Sequence, residues 1–409
     1  MGRPIELDDD VVIRAVHDDD LDQLVANDLR AFGVGEVEPN LMRRVRESLE
    51  LDRFLVAVDD GQIVGNVGAF SFDMALPGGA TVPVCGTTWV AVSATHRRRG
   101  LMRRMLDRLH AEAVARGEVA AVLWAAEASI YGNLGYGPTH QQRISTVDTR
   151  RVRFRDDAPE GGSVRYVDAA TAMDVIPAVV ERTFRARPGG LRPRPSYWRR
   201  LGLRLDATVE EKIPPNVLVH RDATGEPDGF AVYSTEEHWD IEVPRHKVEL
   251  EFFAAATPEA HAGLWRVLCS LDLVAQIETD LVLGDDPLPW MLVDSRAVRT
   301  PYSTDGMWLK VLDVAGLFGG RTYAGDDVVV VDAGELGRWA IGGATRCEPS
   351  DAPAEVSMSP VELGAISLGG TAVRPLVAAG RVTEHAPGAA VRLARLLASD
   401  PPPYCTTHF

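Results

Sequence analysis

The run Trp89-Val90-Ala91-Val92, Ser93 to His96 and Arg97-Arg98-Arg99-Gly100-Leu101-Met102-Arg103 combines residue types that can hold a pyrophosphate. An apolar strand feeds a basic loop, and the loop opens a helix. Backbone N–H groups at a helix N-terminus bind anions, and Gly100 lets the backbone approach one closely. Arg98, Arg99 and Arg103 can add charge-assisted hydrogen bonds. An arginine run alone is usually a solvated face, so its place between strand and helix carries the signal. No His-Glu-x-x-His and no Cys/His cluster with zinc spacing is present, which argues against a metal enzyme.

The flanking sequence supplies the elements that such a loop needs. From Val11 to Ala57 the pattern predicts a strand, an amphipathic helix through Leu21, Leu24, Val25 and Leu29, further helix, and the strand Phe54 to Val58. A turn at Asp59-Asp60-Gly61, the strand Ile63 to Ala69 and a β-rich run ending at Val92 follow. After the basic loop, helical spacing from Leu101 to about Arg116 leads to the strand Val119 to Trp124 and a short helix with Ser129 as N-cap.

The stretch after Arg151 repeats this order without its chemistry. A hairpin (Val217 to His220, Phe230 to Ser234), a strand (Lys247 to Phe253), a helix (Pro258 to Leu271) and a strand (Glu278 to Leu283) precede the short segment Pro287 to Leu292. Thr257-Pro258-Glu259-Ala260 replaces the arginine loop, so this copy should not bind phosphate. After Arg299, short strands at Met307 to Val311 and Val328 to Val331 with small helices predict a third, α+β domain.

Bulk properties narrow the class. The 409 residues imply several cores, and 45% hydrophobic with 25% charged residues is a globular balance. The net charge of -16, with Lys212, Lys247 and Lys310 as the only lysines, disfavours nucleic acid and favours cationic ligands. Four scattered cysteines and the lack of a leader or spanning segment place the protein in the cytoplasm as an expectation.

Arg97-Arg98-Arg99-Gly100-Leu101-Met102 resembles the GNAT superfamily signature Arg/Gln-x-x-Gly-x-Gly/Ala, with Met102 a departure at the last position. The chain more closely resembles the enhanced intracellular survival (Eis) family of aminoglycoside N-acetyltransferases. Trp89-Val90-Ala91-Val92, Thr95-His96-Arg97-Arg98-Arg99-Gly100-Leu101, Ile130-Tyr131-Gly132 and Gly135-Tyr136-Gly137-Pro138 stand in that family's order and spacing. Asp286-Pro287-Leu288-Pro289-Trp290, Asp305-Gly306-Met307-Trp308-Leu309 and Leu368-Gly369-Gly370 extend the match downstream.

The resemblance implies an α+β protein of two fused GNAT-type domains, the second degenerate, and a C-terminal sterol-carrier-protein-like domain. We place these at 1–150, 151–298 and 299–409. It implies a hexamer and acetyl-CoA as co-substrate, held by Val90, Ala91, Val92, Arg98, Arg99, Gly100, Leu101, Met102, Arg103, Ala126 and Glu127, with a strand N–H at Val92 or its neighbour polarising the thioester oxygen.

For catalysis the resemblance assigns the proton-donor role to Tyr131, with Tyr136 the second candidate, and brings the terminal carboxylate of Phe409 into the active site. A phenol of reference pKa ~10 can protonate a leaving thiolate. A carboxylate of reference pKa ~3.5 can take the amine's proton as attack acidifies the nitrogen, or relay it through water. An aminoglycoside presents several ammonium groups, so Asp28, Glu36, Trp89, Trp198 and Trp290 are candidate pocket residues, and Trp89 and Trp198 fall where the family has aromatic ones. Acetylation of protein lysines is the rival activity; an acyl-CoA or lipid binding protein is the rival class.

Overall fold

The computed structural model describes residues 11–33, 39–205, 213–343 and 346–409. The first domain runs β1 (Val12–Ala15), α1 (Leu21–Ala31), α2 (Pro39–Ser48), β2 (Leu55–Asp59), β3 (Gln62–Ala75), β4 (Thr81–Val92), α3 (Leu101–Ala115), β5 (Ala120–Leu123) and α4 (Ala128–Gly132). Strands β1 to β4 are antiparallel neighbours, and β5 lies parallel to β4. Helix α3 buries Leu101, Met105, Leu106, Leu109 and Ala113 on one face of this sheet, as their helical spacing requires. Helix α4 starts two residues earlier than the Ser129 cap implies. Glu127 takes the N-cap position in extended conformation, with no side-chain capping bond.

After β6 (Gly137–Pro138) the chain crosses to a second sheet through β7 (Gln141–Asp148). That domain continues with β8 (Ser163–Tyr166), α5 (Ala169–Thr183), β9 (Leu191–Pro193), α6 (Pro195–Leu205), β10 (Asn216–Arg221) and β11 (Pro227–Glu236). A small hairpin of β12 (Trp239–Asp240) and β13 (Val243–Pro244) precedes β14 (His246–Ala255), α7 (Pro258–Cys269), β15 (Val274–Thr279), α8 (Leu288–Met291) and β16 (Val298–Asp305). Its sheet order is β16-β7-β15-β14-β11-β10-β8, with β14 parallel to β15 as β4 is to β5. The strand expected at Glu278 to Leu283 therefore starts earlier, because the parallel ladder on β14 uses Val274 to Glu278 and the chain leaves the sheet after Thr279.

Strands cross the boundaries placed from sequence. Strand β7 pairs with β15 and β16 in the second sheet, while β17 (Trp308–Val311) returns to the first sheet between β5 and β6. Strand β17 covers the edge of β5, a strand buried along its whole length whose backbone groups would otherwise lack partners. Strand β9 also pairs onto β3, tying the second domain to the first.

The third domain contains α9 (Val314–Gly319), β18 (Val328–Asp332), β19 (Arg338–Gly342), β20 (Arg346–Pro349), β21 (Val356–Met358), α10 (Pro360–Ile366), α11 (Val373–Ala378), β22 (Val382–Glu384) and α12 (Ala389–Leu397), with sheet order β20-β19-β18-β21-β22. Val329, Val331, Leu363 and Leu393 share one apolar core with Val84, Val122 and Leu309 of the first sheet. The close approach of β6 to α10 explains one motif glycine. A Cβ on Gly137 would stand 2.1 Å from the Val361 carbonyl oxygen. Gly137→Ala should cost about 1–3 kcal/mol through this overpacking. Denaturant unfolding measures it, and an unchanged midpoint would show that β6 and α10 separate freely.

Candidate active site

The parallel ladder of β4 and β5 spans only Val84–Gly86 against Ala120–Val122. Beyond it β4 continues to Val92 while β5 ends at Leu123, so the two strands open a cleft. A register shift opposite Asn66 to Gly68 and a positive φ of 52° at Trp89 mark a bulge in β4. Buried amides hold the bulge: Asn66 Nδ2 donates to the Trp89 carbonyl (2.6 Å), Asn27 Nδ2 to Asn66 Oδ1 (2.6 Å), and Ser93 Oγ to Asn27 Oδ1 (2.6 Å). The Ser93 N–H donates to the Val64 carbonyl on the β3 side. Strand alternation therefore turns the N–H groups of Val90 and Val92 to the open side, with Ala91 paired to Asn66.

The loop that closes this cleft is shaped for an anion. Arg98 (φ 65°) and Gly100 (φ 74°) take left-handed conformations, and Gly100 at the N-cap position provides no side-chain cap for the first N–H groups of α3. His96 Nε2 bonds Asp59 (2.8 Å) and Arg99 lies 3.9 Å from the same carboxylate, which anchors the loop to the β2 end. Arg103 donates to the Asn133 carbonyl (2.9 Å), and Arg98 is exposed. Leu101 is buried beneath the loop. Met102, like Val90, Val92, Ala125 and Ile130, packs against the edge of the core, so the departure from the signature fills apolar space. Exposed Ala126 and Glu127 follow β5 on the opposite bank. An uncapped helix start, a basic loop and an open strand edge together suit the diphosphate and amide parts of acetyl-CoA.

The two tyrosines are in unlike settings. Tyr136 is fully buried, with its hydroxyl bonded to His110 Nε2 (2.7 Å) and to Thr87 Oγ1 (3.1 Å), so its proton is already engaged. Burial pushes the His110 pKa down to about 3, which keeps that ring neutral. Tyr131 packs edge-on against Tyr136 at 5.9 Å, and its hydroxyl has no hydrogen-bond partner among the described residues. Burial, with the nearby Glu127 carboxylate, pushes its pKa up to about 12, so it stays protonated at neutral pH.

The chain's last residues run between the first two domains. Tyr404 donates from its hydroxyl to the Asp280 carbonyl and from its N–H to the Pro188 carbonyl (3.0 Å). Trp124 Nε1 donates to the Thr407 carbonyl (3.1 Å), and the His408 ring stacks on Trp124 at 4.1 Å while its Nε2 faces Asp280 (3.1 Å). Phe409 then packs on Phe72, centroids 4.8 Å apart. Trp89, Tyr197, Arg200, Glu251 and Phe409 line a cavity of about 590 Å³ with walls from both domains. A second, acidic groove of about 580 Å³, bearing Glu236, Glu249, Glu278 and Asp280, shares Glu251 and His408 with it.

Comparison with known proteins agrees with this architecture. Acetyltransferase (GNAT) domain families match residues 12–139 and 189–311, and a sterol carrier protein domain family matches 326–406. An uncharacterized N-acetyltransferase of Streptomyces avermitilis is 34% identical over the full length of both chains. The N-acetyltransferase Eis of Mycobacterium tuberculosis is 35% identical, over 85% of this chain and 87% of its own. The crystal structure of Eis1 from Mycobacterium abscessus superposes with a TM-score of 0.85 at 28% identity, covering 98% of this chain and 100% of that one.

The chain belongs to the Eis family of N-acetyltransferases. It is thus an N-acetyltransferase of the GNAT type, with two acetyltransferase domains and a sterol-carrier-like third. No helix among the described residues is long and apolar enough to cross a membrane, and no group of three or more His, Cys, Asp or Glu there could hold a metal ion.

In this Eis-family enzyme some sequence-derived pocket residues stand elsewhere. Trp198 packs against the core of the second domain and edge-on to Tyr197 at 5.5 Å, away from the cavity wall. Tyr197, Arg200, Leu201 and Arg204 share the helical face of α6 that roofs the cavity, and Trp198 is about 100° around the helix from Tyr197. Trp290 is 84% exposed on α8 and not part of this wall, and Glu36 lies outside the described residues. Sequence reading missed Tyr197, Arg200 and Glu251. The stripe on α6 is visible as spacing, but its docking over the first domain is not.

Asp28 does not line the cavity; it accepts from Asn66 Nδ2 (3.2 Å) beneath the bulge. Burial raises its pKa to about 6, opposed by that hydrogen bond. An acid whose pKa rises on folding loses stability as pH climbs from its unfolded to its folded pKa, here from ~4 to about 6, and the penalty persists above. Asp28→Asn should therefore be more stable than the native protein at pH 8, by roughly 1–3 kcal/mol, and equal to it below pH ~4. Melting midpoints across that range measure this, and a constant difference would place Asp28 in water.

Proposed function

We propose that the enzyme acetylates primary amines of polycationic small molecules, with aminoglycosides at more than one amine as the acceptors. The observation that carries this reading is the cavity walled by both acetyltransferase domains, which shares Glu251 and His408 with an acidic groove. Carboxylates at Glu236, Glu249, Glu251, Glu278 and Asp280 attract several ammonium groups at once, and Trp89 and Tyr197 offer flat apolar faces to sugar rings. A concave cavity of this volume suits a free small molecule.

In this reading acetyl-CoA lies along β4, its amides against the N–H edge at Val90 and Val92 and its phosphates at the loop Arg98, Arg99, Gly100 and Arg103. Ala91, Leu101, Met102, Ala126 and Glu127 border that site, and the Val92 N–H polarises the thioester oxygen. The acceptor nitrogen forms its bond to the acyl carbon as the carbon–sulfur bond breaks. The Tyr131 hydroxyl gives its proton to sulfur. The Phe409 carboxylate, directly or through water, takes the proton that nitrogen sheds. The position of Phe409 at the cavity wall and a Tyr131 hydroxyl without a partner among the described residues support these roles. Family resemblance also underlies a cytoplasmic hexamer with functional units at 1–150, 151–298 and 299–409.

Thiol release from acetyl-CoA against aminoglycosides, polyamines and lysine peptides tests the acceptor. Preferential turnover of aminoglycosides is expected. Turnover of peptides alone would replace this reading with a protein-modifying one, and cofactor binding without turnover of any amine would point to a binding role.

A further inference from the structure

The second domain repeats the cleft geometry of the first. Its β14–β15 ladder ends at Glu249–Glu278, after which β14 runs on to Ala255 and β15 stops at Thr279. A register shift also interrupts β14 opposite Val232 and Tyr233. The Ala256 N–H donates to the Asp228 carbonyl on the β11 side, as Ser93 does to Val64 in the first copy. Alternation therefore turns the N–H groups of Phe253 and Ala255 to the open side, the counterparts of Val90 and Val92.

What has changed is the loop. Thr257 Oγ1 accepts from the Ala260 N–H (3.1 Å) and donates to Asp228 Oδ2 (2.7 Å), so the start of α7 is already capped and has a carboxylate beside it. A phosphate would meet that negative charge. The cleft itself remains, about 450 Å³, with apolar walls from Phe184, Phe252, Leu281 and Met291. That volume suits a small molecule.

One polar group in it lacks a partner among the described residues. His261 lines the cleft and is 9% exposed, with Nε2 3.3 Å from the Asp286 carboxylate and a buried Nδ1 that has no hydrogen-bond partner among the described residues. With the carboxylate accepting Nε2–H, Nδ1 is left as an acceptor that needs an O–H or N–H donor. Asp286 opens the motif Asp286-Pro287-Leu288-Pro289-Trp290, which the first active site does not use.

We propose that this second cleft is a ligand site for a neutral, extended amide carrying hydroxyl or amide donors, a molecule of the pantetheine kind without phosphates. The amide chain pairs with the edge at Phe253 and Ala255, a donor meets His261 Nδ1, and the apolar walls cover the body. Phe252 and Thr406 line both this cleft and the acceptor cavity, so the two are one wall apart.

The test is calorimetric titration of pantetheine into the full-length protein with its first cleft saturated by coenzyme A, following the His261 Nδ1 resonance in long-range ¹H–¹⁵N spectra. Pantetheine is expected to bind and to move that resonance, with binding weakened about tenfold or more in His261→Phe through loss of the buried acceptor. Ala254→Trp, which fills the cleft from a half-buried position, should abolish binding while the circular dichroism spectrum is unchanged. Binding that vanishes once coenzyme A is present, or that survives both variants, overturns the proposal. Acetyl transfer measured on the same samples reports on the acceptor reading separately, because this binding does not require turnover.

Discussion

Tyr131→Phe is expected to fold like the native enzyme, to keep its affinity for acetyl-CoA, and to lose acetyl transfer by about 10²–10⁴-fold, the usual contribution of a positioned general acid. The ring of Tyr131 is buried with Tyr136 and Leu134, and phenylalanine preserves that packing. Its hydroxyl bonds nothing among the described residues, so its removal strands no buried partner. A pKa of about 12 keeps the proton on Tyr131 at neutral pH until a departing thiolate, itself made more basic by the same desolvation, forms beside it. Tyr136→Phe is the informative contrast: it leaves His110 Nε2 without its buried partner and Thr87 Oγ1 with only the Cys85 thiol (3.8 Å), and should cost stability first. Steady-state kinetics with a cofactor-binding titration decides the matter, and native turnover in Tyr131→Phe would remove that residue from the chemistry.

Removal of Phe409 is the second large effect. Its ring lies against Phe72 and its half-buried packing is worth about 1–2 kcal/mol, a modest part of the whole. Trp124, Asp280 and Pro188 still hold the preceding residues through Thr407, His408 and Tyr404. Activity should nonetheless fall by about 10²-fold or more if the carboxylate takes the amine's proton. A variant with one alanine added after Phe409 keeps the ring and displaces the carboxylate, so equal losses in both variants assign the effect to the charge. A truncated enzyme as active as the native one would show that the carboxylate is dispensable.

Much of the site was legible in the sequence because it is local. Strand, arginine loop and helix follow one another from Trp89 to Arg103, and the φ of Gly100 and the burial of Leu101 and Met105 follow from neighbours in the chain. The degenerate second copy was legible for the same reason, since Thr257-Pro258 writes a helix cap where Arg99-Gly100 writes an open one. Local pattern did less well where pairing is long-range. The exchange of β7 and β17 between sheets, and the earlier start of β15, depend on which distant edge lacks a partner.

By itself, then, the sequence determined the family and the strand, arginine loop and helix from Trp89 to Arg103, because residue type and short spacing encode backbone conformation and hydrogen-bonding capacity, while it offered Tyr131 and Phe409 only through family resemblance. Only the tertiary structure decided that Tyr197 rather than Trp198 faces the cavity, that Trp290 stands in solvent, and that Asp280 and Trp124 hold the chain's end at that wall. Those outcomes turn on how one domain docks against another. Docking is set by the sum of many apolar contacts and shared strand edges, none of which is written at any single position.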